Sequence, residues 1–144
     1  MVGELDSRVH VLDVPHQDPG PEGFRPVATV PTHLPDEDPD AIQENQPSHL
    51  VLSPDGSLLY VANRGRDTIG VIRVAQFPEL VAEVPCGGTW PRHIELVTTA
   101  EGQGLAVALE RQDAVVFLPL GEGGIPQAPS GQVSVRRPGF ILPV

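Results

Sequence analysis

The apolar residues of this chain come in short runs, and each run stops at a turn signal. Leu50-Val51-Leu52 gives way to Ser53-Pro54-Asp55-Gly56. Leu58-Leu59-Tyr60-Val61-Ala62 ends at Asn63-Arg64-Gly65, and Thr68-Ile69-Gly70-Val71-Ile72 follows. Runs of this length, rich in β-branched residues and bounded by Gly, Pro, Asp and Asn, predict strands rather than helices. Between the first two, Pro54 presets φ and Gly56 accepts a positive φ, the chemistry of a hairpin turn. The same reading along the chain predicts strands over 2–5, 8–14, 25–32, 49–53, 58–64, 68–74, 80–86, 92–97, 104–110, 114–120, 132–136 and 140–144. No helical periodicity competes with it; residues 36–46 admit at most a helical turn. Residues 16–23 form a Pro/Gly/Asp loop, and 31–47 a long acidic, proline-rich excursion best read as a solvated loop.

The strands repeat. Pro47-Ser48-His49-Leu50 matches Pro91-Arg92-His93-Ile94, and Pro138-Gly139-Phe140-Ile141 is a degraded third copy, the prolines lying 44 and 47 residues apart. A second feature travels in the same frame: Asn63-Arg64-Gly65-Arg66-Asp67-Thr68-Ile69 aligns with Leu109-Glu110-Arg111-Gln112-Asp113-Ala114-Val115 and with Gly3-Glu4-Leu5-Asp6-Ser7-Arg8-Val9. Glu4, Arg64 and Glu110 therefore occupy one equivalent position in three successive units. A repeat of about 45 residues made of short strands is the mark of a β-propeller blade. The expected fold is all-β, a β-propeller of about three four-stranded blades. Residues 1–46 supply strands b to d of one blade with the acidic loop, 47–90 and 91–136 a full blade each, and 137–144 a closing strand. Typical rings have four to eight blades, so three leave apolar faces and strand edges open. The expectation is a fragment of a longer propeller, with self-association of copies as the other way to cover those faces.

Charge and composition narrow the partners. The formal net charge of the 144 residues is −10, and residues 1–47 carry ten acids against two arginines. An acidic chain with no basic stripe argues against nucleic acid and against anionic membranes. No apolar run reaches membrane-spanning length and no signal peptide is recognised, which makes the cytoplasm the expected location. The single cysteine, Cys86, cannot form an internal disulfide and reads as an inert small residue at a strand end.

Several of these pieces together resemble the lactonase family of seven-bladed β-propellers, which includes propeller-type 6-phosphogluconolactonases and the fungal carboxy-muconate cyclase. They are Gly3-Glu4-Leu5-Asp6-Ser7-Arg8-Val9, Ser53-Pro54-Asp55-Gly56, Tyr60-Val61-Ala62-Asn63-Arg64-Gly65 followed by Asp67-Thr68-Ile69, and Gly87-Gly88 followed by Pro91-Arg92-His93. Their order and spacing match the C-terminal portion of the family. Ser-Pro-Asp-Gly and Tyr-Val-Ala-Asn occur in many propellers. The combination of Glu-Leu, Asn-Arg-Gly and Gly-Gly-x-x-Pro-Arg-His is more specific. Departures exist: Gly3 stands where the family has Asn, and Leu109-Glu110 where it usually has Asn-Gln.

What the resemblance implies is a lactone hydrolase acting on 6-phosphogluconolactone or a similar sugar lactone, with this chain supplying part of the channel and no cofactor. Opening a lactone needs a water nucleophile, a general base and donors to the developing oxyanion. By resemblance Glu4 is the candidate acid/base and Arg64 the candidate anion anchor, with His93 as a further catalytic candidate and Arg92 and His49 as candidate substrate-binding residues. Each has a structural alternative: Glu4 and Arg64 a salt bridge, His49 and His93 a backbone-holding role. Glu110 reads as a solvated or bridging carboxylate, Asp55 and Asp67 as turn caps, and Trp90 as either pocket wall or packing under a loop. His10, His16 and His33 are scattered without zinc-like spacing, so no metal is expected. Two other readings stay open: a non-catalytic propeller module for protein interaction, and an inactive truncated fragment.

Overall fold

In a computed structural model, residues 1–14, 23–36, 44–100 and 102–143 are described. The loop residues 15–22, His16 among them, and most of the acidic excursion, including the suggested helical turn, lie outside them. Eleven strands occur among the described residues: β1 (Val2–Gly3), β2 (Arg8–Asp13), β3 (Arg25–Pro31), β4 (Gln46–Leu52), β5 (Leu58–Arg64), β6 (Thr68–Arg73), β7 (Glu79–Pro85), β8 (Pro91–Thr99), β9 (Gly102–Leu109), β10 (Ala114–Pro119) and β11 (Gly131–Ser134). They form three antiparallel meanders in the orders β1-β2-β3, β4-β5-β6-β7 and β8-β9-β10-β11. The inner strands β4 and β8 lie against each other, and β1 lies against β4.

The middle blade shows why its strands read as continuous apolar runs. A strand with a sheet packed on each face must be apolar on both. Tyr60 and Ala62 of β5, with Ile69 and Val71 of β6, turn toward the third blade, where they meet Ile94, Leu105 and Val107. Val61 and Ile72 turn the other way and pack with Val9 and Val30 of the first blade. The outer strand β11, by contrast, is exposed along its whole length. Each buried Val, Leu or Ile is worth about 1.5–3 kcal/mol, so these two seams supply most of the cohesion between blades.

Polar bolts fix the seams' register. Asn63, fully buried, donates from Nδ2 to the Thr32 carbonyl of the first blade at 2.7 Å and to Thr68 Oγ1 at 3.2 Å. Ser48 Oγ donates to the Pro91 carbonyl of the third blade at 2.6 Å, and Tyr60 Oη to the Gly124 carbonyl at 2.9 Å. Gly70 belongs to the same seam as Asn63: a Cβ there would lie 2.2 Å from the Thr32 carbonyl oxygen. A nearly buried ion network ties the end of the first blade to the second. Arg66 meets Glu83 at 2.9 Å and Asp36 at 2.5 Å, while Glu83 also accepts from Thr68 Oγ1 at 2.7 Å and from the Leu34 N–H at 2.8 Å.

The closing strand expected over 140–144 is not formed as a strand by the residues described there. Phe140 nevertheless packs on the His93 ring, 4.2 Å between centroids. The segment thus meets β8 at His93, but no strand pairs with it among the described residues, and a lone segment cannot make a ladder.

Candidate functional site

The turns linking β1 to β2, β5 to β6 and β9 to β10 share one geometry. Ser7, Asp67 and Asp113 all take left-handed backbone conformations, with φ of 55°, 58° and 54°. Their carbonyls accept from the N–H groups of Thr32 (3.0 Å), Cys86 (2.9 Å) and Val135 (3.0 Å). In the second and third blades the aspartate does more. Asp67 Oδ1 accepts from the Trp90 N–H, and Asp113 Oδ1 from the Arg137 N–H, each at 2.8 Å. Both donors are themselves left-handed, at φ of 61° and 45°, and each precedes the proline that opens the next repeat. A short carboxylate that tolerates left-handed φ and caps a neighbouring N–H is what this position requires. Three residues before these turns lie Glu4, Arg64 and Glu110, so the equivalence read from the sequence holds in the backbone.

Arg64 and Glu4 meet across the first seam. Arg64 is only 6% exposed, and its Nη2 donates to Glu4 Oε1 at 2.7 Å. Its Nε donates to the Gln46 carbonyl at 2.9 Å, which fixes the plane of the guanidinium. The Glu4 side chain stays 55% exposed. Gly65 lets the chain turn here: it sits at φ +88°, and a Cβ would come within 2.3 Å of the Glu44 carbonyl oxygen. The Arg64 guanidinium lies 5.7 Å from the Trp90 ring centroid, and that of Arg111 3.2 Å from it. Glu110 is occupied differently, by Arg137 at 2.9 Å. The site therefore gathers a solvent-facing carboxylate, a clamped guanidinium, an indole and a second guanidinium from three blades.

A family model described as lactonase, seven-bladed β-propeller, matches residues 1–142. The chain belongs to this lactonase family. A 6-phosphogluconolactonase of Bacillus subtilis is 33% identical to it, over 75% of this chain and 32% of that one. Among solved structures, a periplasmic gluconolactonase from Pseudomonas aeruginosa superposes with a TM-score of 0.72 at 25% identity, covering 95% of this chain and 36% of that one. A Lactobacillus plantarum protein gives 0.76 at 24% identity, covering 94% and 38%, and supports the fold. The chain thus spans about a third of the length of the relatives it matches.

On this lactonase scaffold the two repeat histidines sit apart from the Glu4–Arg64 pair in character. His49 and His93 stack on each other at 3.9 Å between ring centroids, and Phe140, the third copy of the position, packs tilted against the His93 ring. His93 is buried, and its Nδ1 accepts from the Ile141 N–H at 3.4 Å. Burial lowers its pKa from the ordinary value, helped by the His49 ring beside it, with Glu95 opposing. His49 Nδ1 is buried with no hydrogen-bond partner among the described residues. Arg92 sits on a β-bulge between Pro91 and His93, the counterpart of Ser48 in the previous blade, and its side chain is exposed.

Cys86 and Asp55 behave as small structural residues. Burial pushes the Cys86 thiol up to about 12. Ser53 and Ser57 hydrogen-bond Asp55 in the hairpin turn and lower it to about 2. Among the described residues no group of His, Cys, Asp and Glu could hold a metal ion, and no helix is long and apolar enough to cross a membrane. Arg111 escaped the sequence reading, because its partner Trp90 lies on a loop of the preceding blade and no local spacing links the two.

Proposed function

We propose that this chain forms part of the channel of a lactone hydrolase whose substrate is 6-phosphogluconolactone or a similar sugar lactone. The observation that carries the reading is the exposed Glu4 carboxylate held 2.7 Å from the buried Arg64. Glu4 accepts a proton from the attacking water as oxygen adds to the lactone carbonyl. The ring C–O bond then breaks, and the proton passes to the leaving alkoxide, giving the hydroxy acid. Arg64 keeps Nη1 without a hydrogen-bond partner among the described residues. It can offer that N–H to the oxyanion or to an anionic group of the substrate.

In this proposal Arg92 contributes an exposed cation to substrate binding. The buried His93 and the half-buried His49 stacked on it orient the inner strands rather than exchange protons with substrate. The reading is supported by the 6-phosphogluconolactonase relative. Copies of the chain, or further blades, cover the half-buried apolar residues such as Val115 and Phe117 on the outer face of the third blade. The cytoplasm is the proposed compartment, checked by cell fractionation.

The test is hydrolysis of 6-phosphogluconolactone together with light scattering on the purified chain. A defined species whose turnover falls by roughly 100-fold or more in Glu4→Gln, and also in Arg64→Ala, supports the proposal. Turnover equal to wild type in Glu4→Gln rules out its acid/base role. A folded chain with no turnover on sugar lactones favours the non-catalytic interaction module.

A further inference from the structure

We propose that Trp90 and Arg111 form, with Arg64, a subsite for a phosphate ester group, so that the phosphorylated end of the substrate is read by two guanidiniums sharing one indole. This rests on the lactone-hydrolase reading and adds to it the residues that recognise the phosphate.

The two guanidinium carbons lie 5.7 Å and 3.2 Å from the Trp90 centroid, which puts them within about 9 Å of each other. A phosphate group can bridge cations at such a separation. Arg111 stacks on the ring, and stacking engages only the π face of a guanidinium; its rim of N–H donors remains free to bind an oxyanion bidentately. Arg64 spends Nε on Gln46 and Nη2 on Glu4, leaving Nη1.

The charges are unbalanced. Glu4 answers Arg64, but none of the six ion pairs among the described residues involves Arg111. Two like charges thus share one indole while only Arg64 has an ion-pair partner, the nearby Asp67 carboxylate being engaged by the Trp90 N–H, and an anion that joins both guanidiniums relieves their repulsion. The chain's net charge of −10 repels anions at long range, so a dianion needs more than one local cation.

The platform is also built rather than incidental. Trp90 holds a left-handed backbone at φ 61°, fixed on one side by Asp67 Oδ1 and on the other by the Glu110 N–H donating to its carbonyl at 3.1 Å. Gln112 Oε1 accepts from the neighbouring Thr89 N–H at 3.2 Å, tying the turn that carries Arg111 to the loop that carries Trp90.

Trp90 is the sole tryptophan, so its fluorescence reports on the subsite directly. The experiment is a titration of the full chain with 6-phosphogluconate, and with gluconate for comparison, in wild type, Arg111→Gln and Arg111→Lys. Arg111 is exposed, and circular dichroism checks that the variants fold as wild type does. The expected result is a saturable change with 6-phosphogluconate that weakens roughly tenfold in Arg111→Gln, with Arg111→Lys in between, and no saturation by gluconate over the same range. Equal affinity in wild type and Arg111→Gln overturns the subsite. So does an absence of any response to 6-phosphogluconate, and gluconate binding as tightly as the phosphate ester overturns the phosphate assignment. In each of these cases, loss of turnover in Glu4→Gln would still stand for the hydrolase reading.

Discussion

Replacing Arg66 with Met removes the cation from the most enclosed ion pair among the described residues. The Glu83 side chain is 8% exposed and Arg66 11%. Burial pushes Glu83 up, but the hydrogen bonds from Arg66, Thr68 and the Leu34 N–H outweigh it, and the carboxyl sits below its ordinary value. Taking one member from a buried pair costs roughly 3–5 kcal/mol, because the other charge is left without its partner. Thr68 and Leu34 still donate to Glu83, which places Arg66→Met near the lower end, about 3 kcal/mol. Asp36, partly exposed, regains water at little cost. Against a total stability of about 5–15 kcal/mol, that is a large fraction, readable by urea unfolding at pH 7.

The double variant Arg66→Met/Glu83→Gln removes the stranded charge and is expected to recover more than half of the loss. The pH dependence carries a second signature. In wild type the folded pKa of Glu83 is depressed, so its stabilisation is present above the ordinary carboxylate value and is lost as pH falls through the lower folded value. In Arg66→Met the hydrogen bond and charge of Arg66 no longer hold the folded pKa down, so it rises relative to wild type and the deficit shrinks as the medium is acidified toward pH 4. A single variant within 0.5 kcal/mol of wild type, or a double variant no more stable than the single, would refute this account of the network.

Three further outcomes follow from the geometry. Gly70→Ala forces a Cβ onto the Thr32 carbonyl and should cost about 1–3 kcal/mol; calorimetry showing no loss would mean that the seam moves apart freely. Cys86, buried and raised to about 12, should resist thiol reagents at pH 8 in the folded chain and react on unfolding, and rapid labelling of native protein would contradict its placement. His93, whose folded pKa lies below the unfolded value, should favour the folded state fully above about pH 6.5, with its contribution lost as pH falls through the folded value; His93→Phe should flatten that part of the stability profile, and an unchanged profile would count against the buried stack.

Much of the architecture could be read along the chain because its signals are local. Apolar runs cut by Pro54-Asp55-Gly56 or Asn63-Arg64-Gly65 specify strands and turns without knowledge of the rest, and the repeat frame placed Glu4, Arg64 and Glu110 at one equivalent position. Residues 140–143 are not extended into the expected strand here for a non-local reason: Phe140 packs on His93, but no strand pairs with its backbone among the described residues. The histidines show the same limit from another side. Their equivalence was visible, while their stacking, which leaves His93 buried and His49 half-buried, depends on how closely β4 and β8 approach. Arg111 was missed because its meeting with Trp90 is made by the spacing of blades, which no short motif records.

The left-handed turns at Ser7, Asp67 and Asp113 are held by main-chain hydrogen bonds, which are indifferent to what stands three residues earlier. One mould therefore carries a carboxylate, a guanidinium and another carboxylate in succession. A chain built this way can rewrite its chemistry by single exchanges at those positions while each turn keeps its shape, so the variety of reactions open to such a propeller is limited less by folding than by the number of blades that look inward.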